Sequence, residues 1–93
     1  MKKETKLWFD YAQESYEDAL YSWKGHRYGN TCFCCQQALE KILKAILVKK
    51  EKLPPKSHDL IFLSRLVGIR LSRKQAEELG GITRHYFIVR YPD

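Results

Sequence analysis

Residues 31–48 read TCFCCQQALEKILKAILV, and how this stretch folds decides the architecture. Wound as an α-helix, it places Cys32, Cys35, Ala38, Leu39, Ile42, Leu43, Ala45 and Ile46 on an apolar arc covering roughly half the circumference. Gln36, Gln37, Glu40, Lys41 and Lys44 share the remaining sector with Phe33 and Val48. A helix this apolar needs neighbours on two sides, which puts it at the centre of a bundle. Its polar stripe then reads as the wall of a cleft.

Working outward, residues from about Lys3 to Lys24 form a first helix. Trp8, Ala12, Ser15, Tyr16, Ala19 and Trp23 fall on its expected inner face, opposite Asp10, Glu14, Glu17 and Asp18. Gly25 to Asn30, with two glycines and an asparagine, supply the backbone freedom for a turn. The central helix ends near Lys50, where its lysines suit the negative end of the helix dipole. Leu53-Pro54-Pro55-Lys56 cannot continue it, because paired prolines lack N–H donors and stiffen the chain. Ser57 or Asp59 can cap a short third helix to Val67, with Leu60, Leu63 and Val67 inward and Gly68 as its stop. Ser72 followed by Gln75 is a capping box that opens a fourth helix. That helix carries Ala76, Leu79, Thr83, Tyr86 and Phe87 inward, has a weak point at Gly80-Gly81, and ends before Pro92. No segment reads as a strand, a repeat or a low-complexity linker. The expected fold is all-α, an antiparallel up-and-down bundle of about four helices in one domain over residues 1–93.

Aromatic residues make up 13% of the 93, which argues against disorder. No apolar run reaches the roughly 18–20 residues of a membrane span, and Met-Lys-Lys-Glu-Thr-Lys is not followed by a signal-peptide core. The expectation is a cytoplasmic protein without a membrane partner. Cys32, Cys34 and Cys35 sit within one turn, too close to bridge one another without distortion. They read as packing residues, with metal binding and redox chemistry as the competing readings. Cys34 faces away from the main apolar arc.

The net charge of +6 is unevenly placed. Residues 1–20 hold five acids against three lysines, whereas residues 41–93 hold twelve Lys or Arg against five acids. A basic half beside an acidic one suits a nucleic-acid surface, a nucleotide site or self-association of opposite faces, as well as a solvated lysine-rich loop.

Several side chains stand out for chemistry. Glu40 and Lys44 are four apart in the favourable order, a routine ion pair on an exposed helix and one of more interest on a stripe that faces a cleft. His58 and Asp59 precede a helix, where free N–H groups favour anions, although a His-Asp pair at a helix start is usually a cap with a packed imidazole. Arg90 falls on the face of Leu79, Thr83 and Tyr86; a guanidinium there needs an anionic ligand, a carbonyl or a carboxylate such as Asp93. No Gly-rich phosphate loop, His-Glu-x-x-His, Gly-x-Ser-x-Gly or paired cysteine motif is present. No residue is assigned as catalytic, and no cofactor or metal is expected.

Taken in order, these landmarks resemble the HEPN domain. They are Ala12 to Leu20, Arg27-Tyr28, Cys32-Phe33 through Gln36-Gln37-Ala38-Leu39-Glu40-Lys41 with Lys44-Ala45, then His58-Asp59-Leu60 and the closing Arg90-Tyr91-Pro92-Asp93. The likeness is to the small prokaryotic HEPN proteins encoded beside minimal nucleotidyltransferases. It implies an up-and-down bundle that pairs as a homodimer, with a polar cleft that binds a nucleotide or RNA in a toxin–antitoxin-type system. By position, the cleft recruits Lys44, His58, Asp59, Arg90, Tyr91 and Asp93, with Glu40 supporting Lys44. Two departures accompany the likeness. The ribonuclease motif of the family, Arg followed after four to six residues by His, is missing: His85 adjoins Arg84 and precedes Arg90. Many members also continue past Arg-Tyr-Pro-Asp into another helix, so a bundle lacking that last helix is expected. The alternatives are a ribonuclease toxin using a nonstandard histidine, His58 or His85, and a purely structural dimerisation module.

Overall fold

A computed structural model describes residues 2–90, with side chains through Ile88, and contains α1 (Lys3–Lys24), α2 (Tyr28–Lys49), α3 (Leu60–Val67) and α4 (Arg73–Arg90). Arg90 is described only as part of the α4 backbone, and Tyr91 and Asp93 lie outside the described residues. No described segment is a strand, and no described helix is long and apolar enough to cross a membrane. The protein is an all-α bundle with α2 at its centre. α1 packs on one side of α2, and α3 and α4 pack on the other; among the described residues α1 packs against no other helix.

The α1–α2 seam is built from small side chains. Thr5, Ala12, Ser15, Ala19 and Ser22 are buried, with half-buried Trp8 completing steps of three and four residues along one stripe. From α2, Ala45 is fully buried, and Cys34 is the most enclosed of the three cysteines. The expected inner aromatics are corrected here: Tyr16 and Trp23 are 53% and 60% exposed. Small side chains let the two backbones approach closely, and rings would hold them apart.

The expected six-residue turn is also shorter. Gly25 caps α1, His26 takes a left-handed φ of 61° that reverses the chain, and Tyr28, Gly29 and Asn30 already belong to α2. The Asn30 side-chain amide donates back across the turn to Ser22 Oγ at 2.6 Å.

On the far side of α2, Leu43 and Leu47 meet Leu60, Leu63 and Val67 in the buried core. The ends of α3 follow the local signals: Asp59 Oδ1 accepts from the N–H groups of Ile61 and Phe62, and Gly68 closes the helix at φ 97°. At the start of α4, Ser72 and Gln75 exchange hydrogen bonds of 3.1 and 3.0 Å, a complete capping box. Phe87, expected inward, is 41% exposed, whereas Tyr86 is fully buried.

The reading of α2 itself is inverted. The polar stripe does not face an open cleft: Gln36, Glu40 and Lys44 are buried, on the side covered by α3 and α4. Part of the apolar arc is the more open sector. Cys35, Ala38, Leu39 and Ile42, with Phe9, Ala12, Tyr16 and Ile82, line an apolar groove of about 420 Å³. Two covering layers on opposite sides of one helix leave the sectors between them exposed, whatever residues stand there.

Candidate functional site

The buried stripe of α2 is the floor of the candidate site. Gln36, Glu40 and Lys44 are spaced by four residues and so stack along one helix face. Lys44 Nζ donates to Glu40 Oε2 at 2.9 Å, and both side chains are 8% exposed. The other carboxylate oxygen, Oε1, lies 2.9 Å from His58 Nδ1. Paired with the Lys44 ammonium, the carboxylate accepts on both oxygens, so Nδ1 of His58 carries the proton and donates. The imidazole then has Nε2 as its remaining edge, without a hydrogen-bond partner among the described residues, on a side chain 36% exposed.

Gln36 fixes the loop that carries His58. Its amide nitrogen donates to the His58 carbonyl at 2.7 Å and reaches Glu40 Oε1 at 3.4 Å. Its amide oxygen accepts from Thr83 Oγ1 of α4 at 3.3 Å. A fully buried amide is tolerated only with its polar atoms matched, and here the matching ties α2, α4 and the His58 loop together.

Aromatic rings close the site. Tyr86 stacks on Phe33 with centroids 5.5 Å apart and planes at 17°, and the His58 ring lies 5.4 Å from Tyr86. Phe87 stands edge-on to Tyr86 at 5.5 Å and 6.4 Å from His58. Phe33 also borders a cavity of about 880 Å³ with Tyr21, Arg27, Asn30 and Asp18, at the end of the bundle where α1 turns into α2. That volume is within the range of small-molecule clefts.

The sequence-based site residues therefore divide. Glu40, Lys44 and His58 meet in one hydrogen-bonded chain. Lys44 is enclosed and paired, so it stands behind the site rather than at its surface. Asp59 directs its carboxylate into the α3 cap. The Arg90 side chain, Tyr91 and Asp93 are outside the described residues. His85 has an enclosed Nε2 with no hydrogen-bond partner among the described residues, which sets it apart from His58. Gln36, Thr83 and the Phe33–Tyr86 stack complete the site; the i, i+4, i+8 series of Gln36, Glu40 and Lys44 was the available signal for the first of them.

Cys35 lines the apolar groove, and Cys34 borders the cavity by the α1–α2 turn. Burial pushes the Cys34 thiol above its ordinary range, with Asp18 adding to the rise; burial and neighbouring Cys32 do the same for Cys35. Raised thiols are poor nucleophiles at neutral pH. Among the described residues, no group of three or more His, Cys, Asp or Glu is placed to hold a metal ion.

The family model of the HEPN domain matches residues 5–93, nearly the whole chain and every residue of the network. The chain belongs to the HEPN domain family. No curated protein and no solved structure matches it. Within this HEPN domain, the Lys44–Glu40–His58 chain supplies a positioned imidazole, and the aromatic stack supplies an apolar wall beside it.

Proposed function

We propose that this HEPN domain is a nucleotide- or RNA-associated binding module. The observation that supports it best is the His58 ring, held through Nδ1 by Glu40 and offering its other edge beside the partly exposed Phe87 ring, with the buried Tyr86 ring packed behind both. A base recognised this way stacks on aromatic surface and takes a hydrogen bond at its polar edge. The excess of Lys and Arg in residues 41–93 supplies attraction for phosphate. Arg90, Tyr91 and Asp93, which follow at the end of α4, are proposed as further contacts, with Lys44 and Glu40 supporting and Asp59 shaping the loop. The module works as a homodimer and pairs with a minimal nucleotidyltransferase in a toxin–antitoxin-type system. The apolar groove between α1 and α2 is surface that such pairing would cover.

Calorimetric titration with AMP, ATP and a short oligoribonucleotide tests the reading. Saturable binding that His58→Gln and Arg90→Ala each weaken is expected. Absence of saturable binding to all three ligands would refute it.

One observation favours a second reading, a metal-independent ribonuclease. A carboxylate holding Nδ1 of a histidine leaves Nε2 suited to take a proton from a 2′-hydroxyl. Purified wild-type protein would then cut RNA and His58→Gln would not; equal cutting by both removes this reading.

A further inference from the structure

The corner where α3 passes into α4 carries a cavity unrelated to the His58 network. Its volume is about 530 Å³, and Arg65, Arg70 and Arg73 line it together with Gly68, Ile69 and Ser72 among others, with no carboxylate in the lining among the described residues. Arg73 has an ion-pair partner, Glu77 at 3.3 Å, on the same exposed helix surface. Among the described residues, Arg65 and Arg70 have none. Elsewhere Lys2, Lys6 and Lys44 each hold a carboxylate within 3 Å. Among the described residues the corner thus holds two guanidinium groups, Arg65 and Arg70, without a carboxylate partner.

Its backbone is held in place. Gly68 and Ile69 donate to the Ser64 carbonyl at 3.1 and 2.9 Å, and Lys50 Nζ ties the end of α3 to α2 through the Val67 carbonyl at 2.8 Å. A fixed concavity with planar, forked donors on its rim suits phosphate oxygens, which guanidinium groups can take two at a time. A flat surface such as a bilayer does not follow a concavity.

The position relative to His58 narrows the ligand. His58 lies just before the amino end of α3 and the arginines gather at its carboxyl end. Eight helical residues separate them by about 12 Å at the α-helical rise. A stacked strand rises about 3.4 Å per nucleotide along its axis, so the span corresponds to three to four nucleotides. A strand of that length lays a phosphate at the arginines while a base stays at His58, whereas AMP has only the single phosphate beside its own ribose.

We propose that Arg65 and Arg70 form a second contact, for the phosphodiester backbone of a single-stranded nucleic acid lying along α3. This rests on the reading of His58 as the base-contacting end. Phosphate contacts of this kind position a strand without selecting its sequence.

The test measures binding of fluorescent oligouridylate and oligodeoxythymidylate over a series of salt concentrations, using wild type, Arg65→Gln/Arg70→Gln and His58→Gln. Circular dichroism verifies that the helices persist. The arginine variant is expected to bind more weakly, with the slope of log affinity against log salt reduced by about 1.4, or 0.7 for each of two lost phosphate contacts. Its affinity for AMP should match wild type. A loss shared by both oligomers assigns the contact to the common backbone; a loss with RNA alone confines the strand to RNA. An unchanged slope, no binding of either oligomer, or an equal loss of AMP overturns the proposal. So does arginine-dependent binding to phosphatidylserine vesicles without binding to oligomers. If AMP fails to bind wild type while the oligomers retain their arginine-dependent slope, the His58 reading fails and the corner stands.

Discussion

The two sides of α2 solve the same packing problem by different means. Toward α1, contact comes from small side chains such as Ala12, Ala19 and Ala45, and polar groups contribute little beyond Lys41 to Ser15 and Asn30 to Ser22. Toward α3 and α4, the leucine core is threaded by Gln36, Glu40, Lys44, His58 and Thr83, whose hydrogen bonds connect three parts of the chain. Close packing of small side chains tolerates nothing larger but asks little of direction. A buried polar chain asks for direction at every member, and it is where the candidate chemistry sits.

The largest effect expected is at Glu40. Glu40→Gln removes the charge facing Lys44 and leaves an uncompensated buried ammonium, which costs about 3–5 kcal/mol. That is a large share of the stability of a domain this size. Urea denaturation should show it, and Glu40→Gln/Lys44→Met should recover much of the loss. A loss below about 1 kcal/mol would mean the pair behaves as a surface pair and would dissolve the contrast.

Gln36→Leu comes next. It removes the donor to the His58 carbonyl and the acceptor of the Thr83 hydroxyl, which keeps only the Leu60 N–H at 3.5 Å, at about 1–3 kcal/mol for the group left unmatched. The same melt followed by His58 NMR should show the ring losing its fixed environment. On the α1 side, Ala45→Leu overfills a fully buried position and should cost about 1–3 kcal/mol. Cys35→Leu, facing the groove, should cost far less in the same denaturation experiment. Equal losses would show that the groove is as tightly filled as the seam.

The smallest effect is alkaline. The Cys34 and Cys35 thiols titrate above their unfolded value of 9.0, so the unfolded chain releases those protons first as pH rises. Stability should be unaffected by these thiols below that value and should decline as pH climbs through it toward the raised folded values. Melting curves of wild type and Cys34→Ser/Cys35→Ser across that window check the sign: the wild type should fall more steeply.

The helices were legible because their ends are marked locally. Asp59 and Gly68 bracket α3, Ser72 and Gln75 open α4, and the proline pair ends the reach of α2; these signals act within a few residues and need no tertiary context. The faces were less legible. Periodicity shows that Gln36, Glu40 and Lys44 align, yet a Glu–Lys pair four apart has the same spelling whether water or α4 lies over it. Apolar size argues for burying Tyr16 and Trp23, whereas contact along the seam is limited by how closely two backbones can approach. The meeting of Glu40 with His58 joins residues eighteen apart, and only the path of the proline loop decides it.

The turn at Gly25–Arg27 has a consequence for assembly. α1 is held to the described fold by α2, and the reversal between them occupies three residues, one of them His26 at positive φ. If that reversal straightened, α1 of one molecule could lie on α2 of another and reproduce every contact of the seam in trans. Such an exchange leaves the His58 network intact in each copy, since none of its hydrogen-bonded members belongs to α1. Two such molecules would be interlocked by their first helices and still carry two complete sites.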